Sequence, residues 1–177
     1  MDLSYRKKIT KTIIYLLVIA AAAIIQNTPG LTIEIGGARC FLLLPVTIML
    51  GMGEDEGFAG ILGLAGGLFW DLNSAVHFGF NAAFMCLSCF CCAALVTYII
   101  RNTFISNFVF STLSAFIYAF LYWLFFIIIK GVHGAELSLF SFYFPSAIYT
   151  MVSAPLIWFF INWIKKKLDK PIKTQAY

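Results

Sequence analysis

The sequence predicts an all-α membrane protein: one polytopic membrane domain over residues 1-177, built as a six-transmembrane-helix bundle. Three observations predict it. Of the 177 residues 62% are hydrophobic and only 11% are charged, whereas a soluble domain carries about a quarter charged residues. The apolar residues fall in runs punctuated by ionisable ones, and the lysines and arginines gather on alternate connections. So low a charge density excludes a secreted disulfide framework, a nucleic-acid binder and a disordered tail. At about 20 residues per helical span, six spans leave no room for a soluble catalytic domain.

The first span, about 10-27, follows Arg6, Lys7, Lys8 and Lys11 and stops at Thr28-Pro29-Gly30. Its basic start and Ala20-Ala21-Ala22-Ala23 share features with a secretion signal, but the rest of the chain is membrane-embedded, so it is read as an uncleaved anchor. Leu31 to Arg39 alternates polar and apolar residues, which fits an extended interfacial segment. The second span, about 40-52, contains Pro45 and ends at the acidic turn Gly53-Glu54-Asp55-Glu56-Gly57. The third, about 57-72, ends at Asp71-Leu72-Asn73-Ser74. The fourth, about 77-100, stops at Arg101-Asn102, the fifth, about 106-129, at Lys130-Gly131, and the sixth, about 142-164, at Lys165-Lys166-Lys167.

Basic residues accumulate on the cytoplasmic side because translocating them is unfavourable. An N-in, C-in arrangement keeps the four N-terminal basic residues, Arg101 and the five lysines from Lys165 to Lys173 inside, and leaves only Arg39 and Lys130 outside. The lysine-rich C-terminus is read as a topology anchor, with a contact to anionic lipid headgroups as the lesser alternative.

Lipid tails are as apolar as leucine, so helices in a bilayer associate through close packing of small residues. Small residues three or four apart therefore mark inward faces. The third span has Ala59, Gly63 and Gly67 with Gly60 and Gly66 beside them, which places it near the bundle centre. The fourth has Ala82, Cys86, Cys89 and Ala93, the fifth Ser111, Ala115 and Ala119 with Ser114 and Tyr118 adjoining, and the sixth Ser146, Thr150 and Ala154. Phenylalanine and isoleucine fill most other positions and are expected to face lipid.

Gly57 to Asp71 rises about 21 Å as an α-helix, against a hydrocarbon core about 30 Å thick. An intramembrane carboxylate is a functional-site candidate; alternatively, Asp71 ends one helix while Ser74 caps the next. Cys86, Cys89, Cys91 and Cys92 lie mid-span with no histidine or carboxylate nearby, so packing rather than metal or redox chemistry is expected. His133 and Glu136 share a short loop, with no H-E-x-x-H, G-x-S-x-G or Walker loop anywhere. An intramembrane enzyme using Asp71 and His77 would need a further converging polar group. No cofactor and no enzymatic activity are expected. The turn Glu54-Asp55-Glu56 is read as solvated, with docking of a basic partner as the lesser alternative.

Residues 41 to 82 run through Pro45, Gly57-Phe58, Gly63, Gly67-Leu68-Phe69-Trp70-Asp71 and Gly79-Phe80-Asn81-Ala82. This order and spacing resembles the rod shape-determining MreD family of small bacterial membrane proteins. The likeness covers nearly the whole chain in outline, and its specific part is this central third. Val46 stands where an acidic residue commonly follows the family's proline, and neither the acidic turn nor the cysteine cluster is a family feature. The resemblance implies a fold similar to the membrane substrate-binding subunit of energy-coupling-factor transporters. It also implies a place in the rod complex, or elongasome, of a bacterial cytoplasmic (inner) membrane. Its implied partners are an MreC-like bitopic protein, a RodA-like glycosyltransferase, a class B penicillin-binding protein and, indirectly, MreB filaments. Pro45, Gly63, Gly67, Asp71, Gly79 and Asn81 would then shape the core and the partner surface. The rival reading is the substrate subunit of a vitamin or micronutrient transporter. Such subunits typically carry an A-x-x-x-A motif on the first helix, and here Ala20 to Ala23 are followed by Ile24 and Ile25.

Overall fold

The computed structural model describes residues 3–28, 38–72, 78–129 and 139–168. Among these the regular structure is helical, in six α-helices: α1 (Leu3–Asn27), α2 (Leu43–Gly51), α3 (Glu56–Asp71), α4 (Phe80–Tyr98), α5 (Phe104–Trp123) and α6 (Phe144–Leu168). A π-helical turn, Leu124–Ile128, prolongs α5, and another, Leu139–Tyr143, leads into α6. The expected Leu31–Arg39 interfacial segment lies mostly outside the described residues, as do Ser74, His77, Lys130, His133 and Glu136.

Four stretches are long and apolar enough to cross a membrane: Lys8–Asn27, Phe80–Tyr98, Phe104–Ile128 and Phe144–Leu168. The chain is accordingly a multi-pass membrane protein. The expected second and third spans are the short α2 and α3. With nine residues, α2 rises only about 13 Å at 1.5 Å per residue.

The centre of the bundle is α2 rather than the glycine-rich α3. All nine residues of α2 are buried, and it touches each of the other five helices. Its core is large and apolar (Leu43, Leu44, Ile48, Met49 and Leu50 are all at most 1% exposed), so the longer helices wrap around it. Sequence patterning missed this because a helix apolar all round reads alike whether lipid or protein surrounds it.

A buried helix nine residues long cannot send its ends to water, and each end leaves backbone groups without intrahelical partners. Other helices supply them. At the start of α2, the Leu43 amide donates to Gln26 Oε1 of α1 at 2.8 Å, and the preceding Phe41 amide donates to Thr150 Oγ1 of α6 at 2.9 Å. At its end, the Met52 carbonyl accepts from Asn102 Nδ2 at 3.1 Å and Lys165 Nζ at 2.7 Å. Pro45 fits because it sits third in the helix, within the first turn, where its missing N–H is not needed.

The most extensive helix pair is α3 with α4. The small residues expected on inward faces are there: Ala59, Gly63 and Gly67 of α3, Ala82, Cys89 and Ala93 of α4, Ser111, Ala115 and Ala119 of α5, and Ser146, Thr150 and Ala154 of α6 are buried. Cys86 is half-buried. Long apolar side chains point outward, among them Leu17, Leu87, Ile105, Leu156 and Phe159.

Candidate functional site

Successive helices run in alternate directions, so the polar groups gather at the two ends of the bundle. The basic end holds the start of α1, the turn between α2 and α3, the Arg101–Asn102 connection and the end of α6. There Glu54 pairs with Lys11 at 2.6 Å and accepts from Tyr15 Oη at 2.9 Å. Gly53 takes φ +87° beside Asn102, a left-handed conformation that glycine adopts without strain. The acidic turn is therefore not simply solvated: Glu54 fastens α1 to the α2–α3 connection, while Asp55 caps α3 by accepting from the Phe58 amide at 3.4 Å.

The opposite end is built around Asp71. Gly79 opens α4 at φ +98° and has no side chain with which to cap it. Asp71, at the end of α3, supplies the missing acceptor: its Oδ2 receives the Gly79 amide at 2.9 Å and the Ala82 amide at 3.1 Å. A carboxylate here also meets the positive end of the α4 dipole. Asp71 is 1% exposed, and its Oδ1 is buried with no hydrogen-bond partner among the described residues. Asp71 itself caps the following helix; Ser74, the alternative cap, lies outside the described residues.

The close approach of α3 and α4 depends on glycine. A methyl group at Gly67 would lie 2.3 Å from Ala82 Cα and 2.6 Å from the Asn81 carbonyl oxygen; at Gly63 it would lie 2.3 Å from the Met85 carbonyl oxygen. Gly66 serves a different partner, since its added methyl would meet Thr47 Cγ2 of α2 at 2.4 Å. One helix thus carries glycine contacts to two neighbours.

Asn81, 1% exposed, accepts from Tyr118 Oη of α5 at 2.7 Å. The Tyr118 ring packs against Trp70 at 4.9 Å, Phe41 at 5.2 Å and Phe84 at 5.3 Å between centroids. This cluster borders a cavity of about 400 Å³. Its aromatic wall includes Phe41, Trp70, Tyr118, Tyr122 and Tyr143, and its polar lining is Gln26, Asn27, Arg39 and Asn81.

The structure thus brings Asp71, Gly79 and Asn81 together at one end, sets Gly63 and Gly67 along the same α3–α4 seam, and leaves Pro45 in the central helix. Sequence reasoning had not assigned Gln26, Phe41, Tyr122 or Tyr143. The one general sequence signal is the enrichment of tyrosine at membrane interfaces, which points to Tyr143; Gln26, Phe41 and Tyr122 carry none.

Of the cysteines, Cys40, Cys89 and Cys92 are buried while Cys91 is exposed, and all five are free thiols. Cys89 sits where α4 meets Gly63, a packing role. Among the described residues no group of three His, Cys, Asp or Glu side chains converges as metal ligands. Comparison of the chain with protein-family models, with curated proteins and with solved structures finds no match.

Proposed function

We propose that this chain is a non-enzymatic component of a bacterial rod complex in the cytoplasmic membrane, where it organises lateral peptidoglycan synthesis by helix-packing contacts with partner membrane proteins. The observation that carries the reading is the use made of the 41–82 motif. Pro45 lies in the buried α2, Gly63 and Gly67 seat α4, Asp71 and Gly79 form its N-terminal cap, and Asn81 ties it to α5. A motif devoted to holding four helices together, with its carboxylate bound to backbone amides, suits a docking platform. The outward apolar faces of α1, α4, α5 and α6 are available to lipid and to partner helices. An MreC-like bitopic protein is the first partner in this reading, with a RodA-like glycosyltransferase and a class B penicillin-binding protein beside it and MreB filaments acting indirectly.

The test is affinity capture of the tagged chain from rod-shaped cells in mild detergent, with depletion in parallel. Co-purification of a single-span coiled-coil protein, and rounding of depleted cells, are expected. Capture without any of these partners, together with unaltered cell shape, would overturn the proposal.

One observation favours the second reading, a substrate-binding subunit of a micronutrient transporter with a fold similar to those of the energy-coupling-factor type. It is the cavity of about 400 Å³ at the Asp71 end, within the range of small-molecule sites. That reading expects cytoplasmic ATPase subunits in the capture experiment instead.

A further inference from the structure

We propose that the groove between α1 and α6 seats one anionic phospholipid, with an acyl chain in the groove and the phosphate at the basic end. The inference goes beyond the docking reading and does not rest on it.

Both helices are fastened near their basic ends to the connection between α2 and α3. Lys11 pairs there with Glu54 at 2.6 Å, and Lys165 Nζ donates to the Met52 carbonyl at 2.7 Å. One turn further into the membrane lies a groove of about 500 Å³ whose lining side chains are all apolar. Ile14, Leu17 and Ala21 form one wall, Leu156 and Phe160 the other, and the buried Val46 of α2 lies at the base.

The groove is long and narrow. From Ile14 to Ile25 it runs about 16 Å at 1.5 Å per residue, close to one leaflet, half of a hydrocarbon core about 30 Å thick. Over that length, about 500 Å³ gives a mean cross-section of about 30 Å², whereas a helix about 10–12 Å across needs about 80–110 Å². A chain of methylenes fits between the walls, and a further helix does not.

Charge selects the headgroup. Four cations begin α1 and three end α6; neither helix contains a carboxylate, and the flanking Asp2 and Asp169 offset only two of the seven. The carboxylates of the acidic turn are engaged: Glu54 by Lys11 and Tyr15, Asp55 by the Phe58 amide, and Glu56 by Tyr98 Oη at 3.0 Å. On α6 the row Leu156, Phe160, Trp163, Lys167 continues the groove wall at spacings of three and four. Lys167 Nζ stands over the Trp163 ring at 5.0 Å, and an exposed tryptophan marks the headgroup level. On α1 the row Ala21, Leu17, Ile14, Thr10, Arg6 likewise ends in an exposed cation. Each such cation adds about fivefold to the affinity for an anionic lipid surface.

The test titrates the purified full chain, in uncharged detergent, with dioleoylphosphatidylglycerol or dioleoylphosphatidylcholine and reads bound lipid by native mass spectrometry. One phosphatidylglycerol per chain is expected, held tenfold or more tighter than phosphatidylcholine. Arg6→Gln combined with Lys167→Gln should cut phosphatidylglycerol binding at least tenfold and leave phosphatidylcholine unchanged. Arg101→Gln, which removes a cation from the α4–α5 connection at the same end, should change neither. Ala21→Phe fills the groove and should weaken both lipids. All four positions are exposed, so each variant should melt as the parent does. Equal binding of the two lipids, uptake without saturation, or a loss in Arg101→Gln equal to that of the double variant would overturn the proposal. Indifference of lipid binding to Ala21→Phe would do the same, and if that variant instead lost a captured single-span protein, the groove would be a helix site. Partner capture by the parent chain succeeds or fails independently of these titrations, so failure here and failure of the docking reading are separately visible.

Discussion

Replacing Gly67 by alanine adds one methyl group at the tightest point of the α3–α4 contact. That carbon would lie 2.3 Å from Ala82 Cα and 2.6 Å from both the Ala82 amide nitrogen and the Asn81 carbonyl oxygen. Carbon atoms rest at about 3.5–4.0 Å, so the helices must part by about 1.2–1.7 Å. The obstacle is backbone on both sides, which no rotamer change relieves. Parting them also moves the Ala82 amide away from Asp71, which it now meets at 3.1 Å. Overpacking a close contact costs about 1–3 kcal/mol, and weakening the cap adds up to about 1 kcal/mol. At about 2–4 °C per kcal/mol for a chain of this size, the melting temperature in detergent should fall by about 2–16 °C. Gly63→Ala should behave alike, since its methyl group would meet the Met85 carbonyl at 2.3 Å. Gly60→Ala is the internal control. Its methyl group would meet Phe90 Cβ at 3.6 Å and Cys86 at 3.8 Å, ordinary contact, so the helix-forming advantage of alanine, about 0.4–1 kcal/mol, should hold or raise the melting temperature. Equal melting of Gly67→Ala and the parent, or equal damage from Gly60→Ala, would refute the packing argument.

Three further outcomes are expected. Asp71→Ala, which strips two amides of their acceptor, should destabilise by about 1–3 kcal/mol, with Asp71→Asn intermediate; a melting series with both variants near the parent would show that the cap is unimportant. Lys165→Met and Asn102→Leu each leave the Met52 carbonyl one partner, so each alone should cost about 1 kcal/mol. The double variant should exceed their sum by about 0.5 kcal/mol or more, and strict additivity in a double-mutant cycle would contradict shared capping of α2. Cys89→Leu should cost about 1–3 kcal/mol by overpacking, because Cys89 is buried against Gly63, whereas Cys91→Leu, on an exposed face, should change stability by less than about 0.5 kcal/mol. Similar melting shifts for the two would rule out a packing role for Cys89.

Much of the inward surface was legible in the chain. Rows such as Ala59-Gly63-Gly67 and Ser146-Thr150-Ala154 recur at helical spacing, and in a bilayer only small residues let backbones approach. The isolation of Asp71 within an apolar stretch was equally visible. Its role was not, because the cap on Gly79 and Ala82 depends on how α3 and α4 pack together. Glu54 was misjudged for a similar reason: its partners Lys11 and Tyr15 lie about 40 residues away, and three consecutive acidic residues read as a solvated turn until α1 is placed beside them.

Composition and periodicity by themselves determined that the chain is helical and membrane-embedded, that six apolar segments alternate in direction, and which faces turn inward. These are properties of single helices: charge density, length and side-chain spacing follow from local order alone. Only the tertiary arrangement decided that α2 occupies the centre, that Gln26, Asn102 and Lys165 complete its ends, and that aromatic and amide groups from six segments line one cavity. The physical reason is that a backbone amide or carbonyl inside a bilayer must find its partner within the protein. Where the nearest helix turn cannot supply one, the partner comes from wherever in the sequence the bundle brings a side chain into reach.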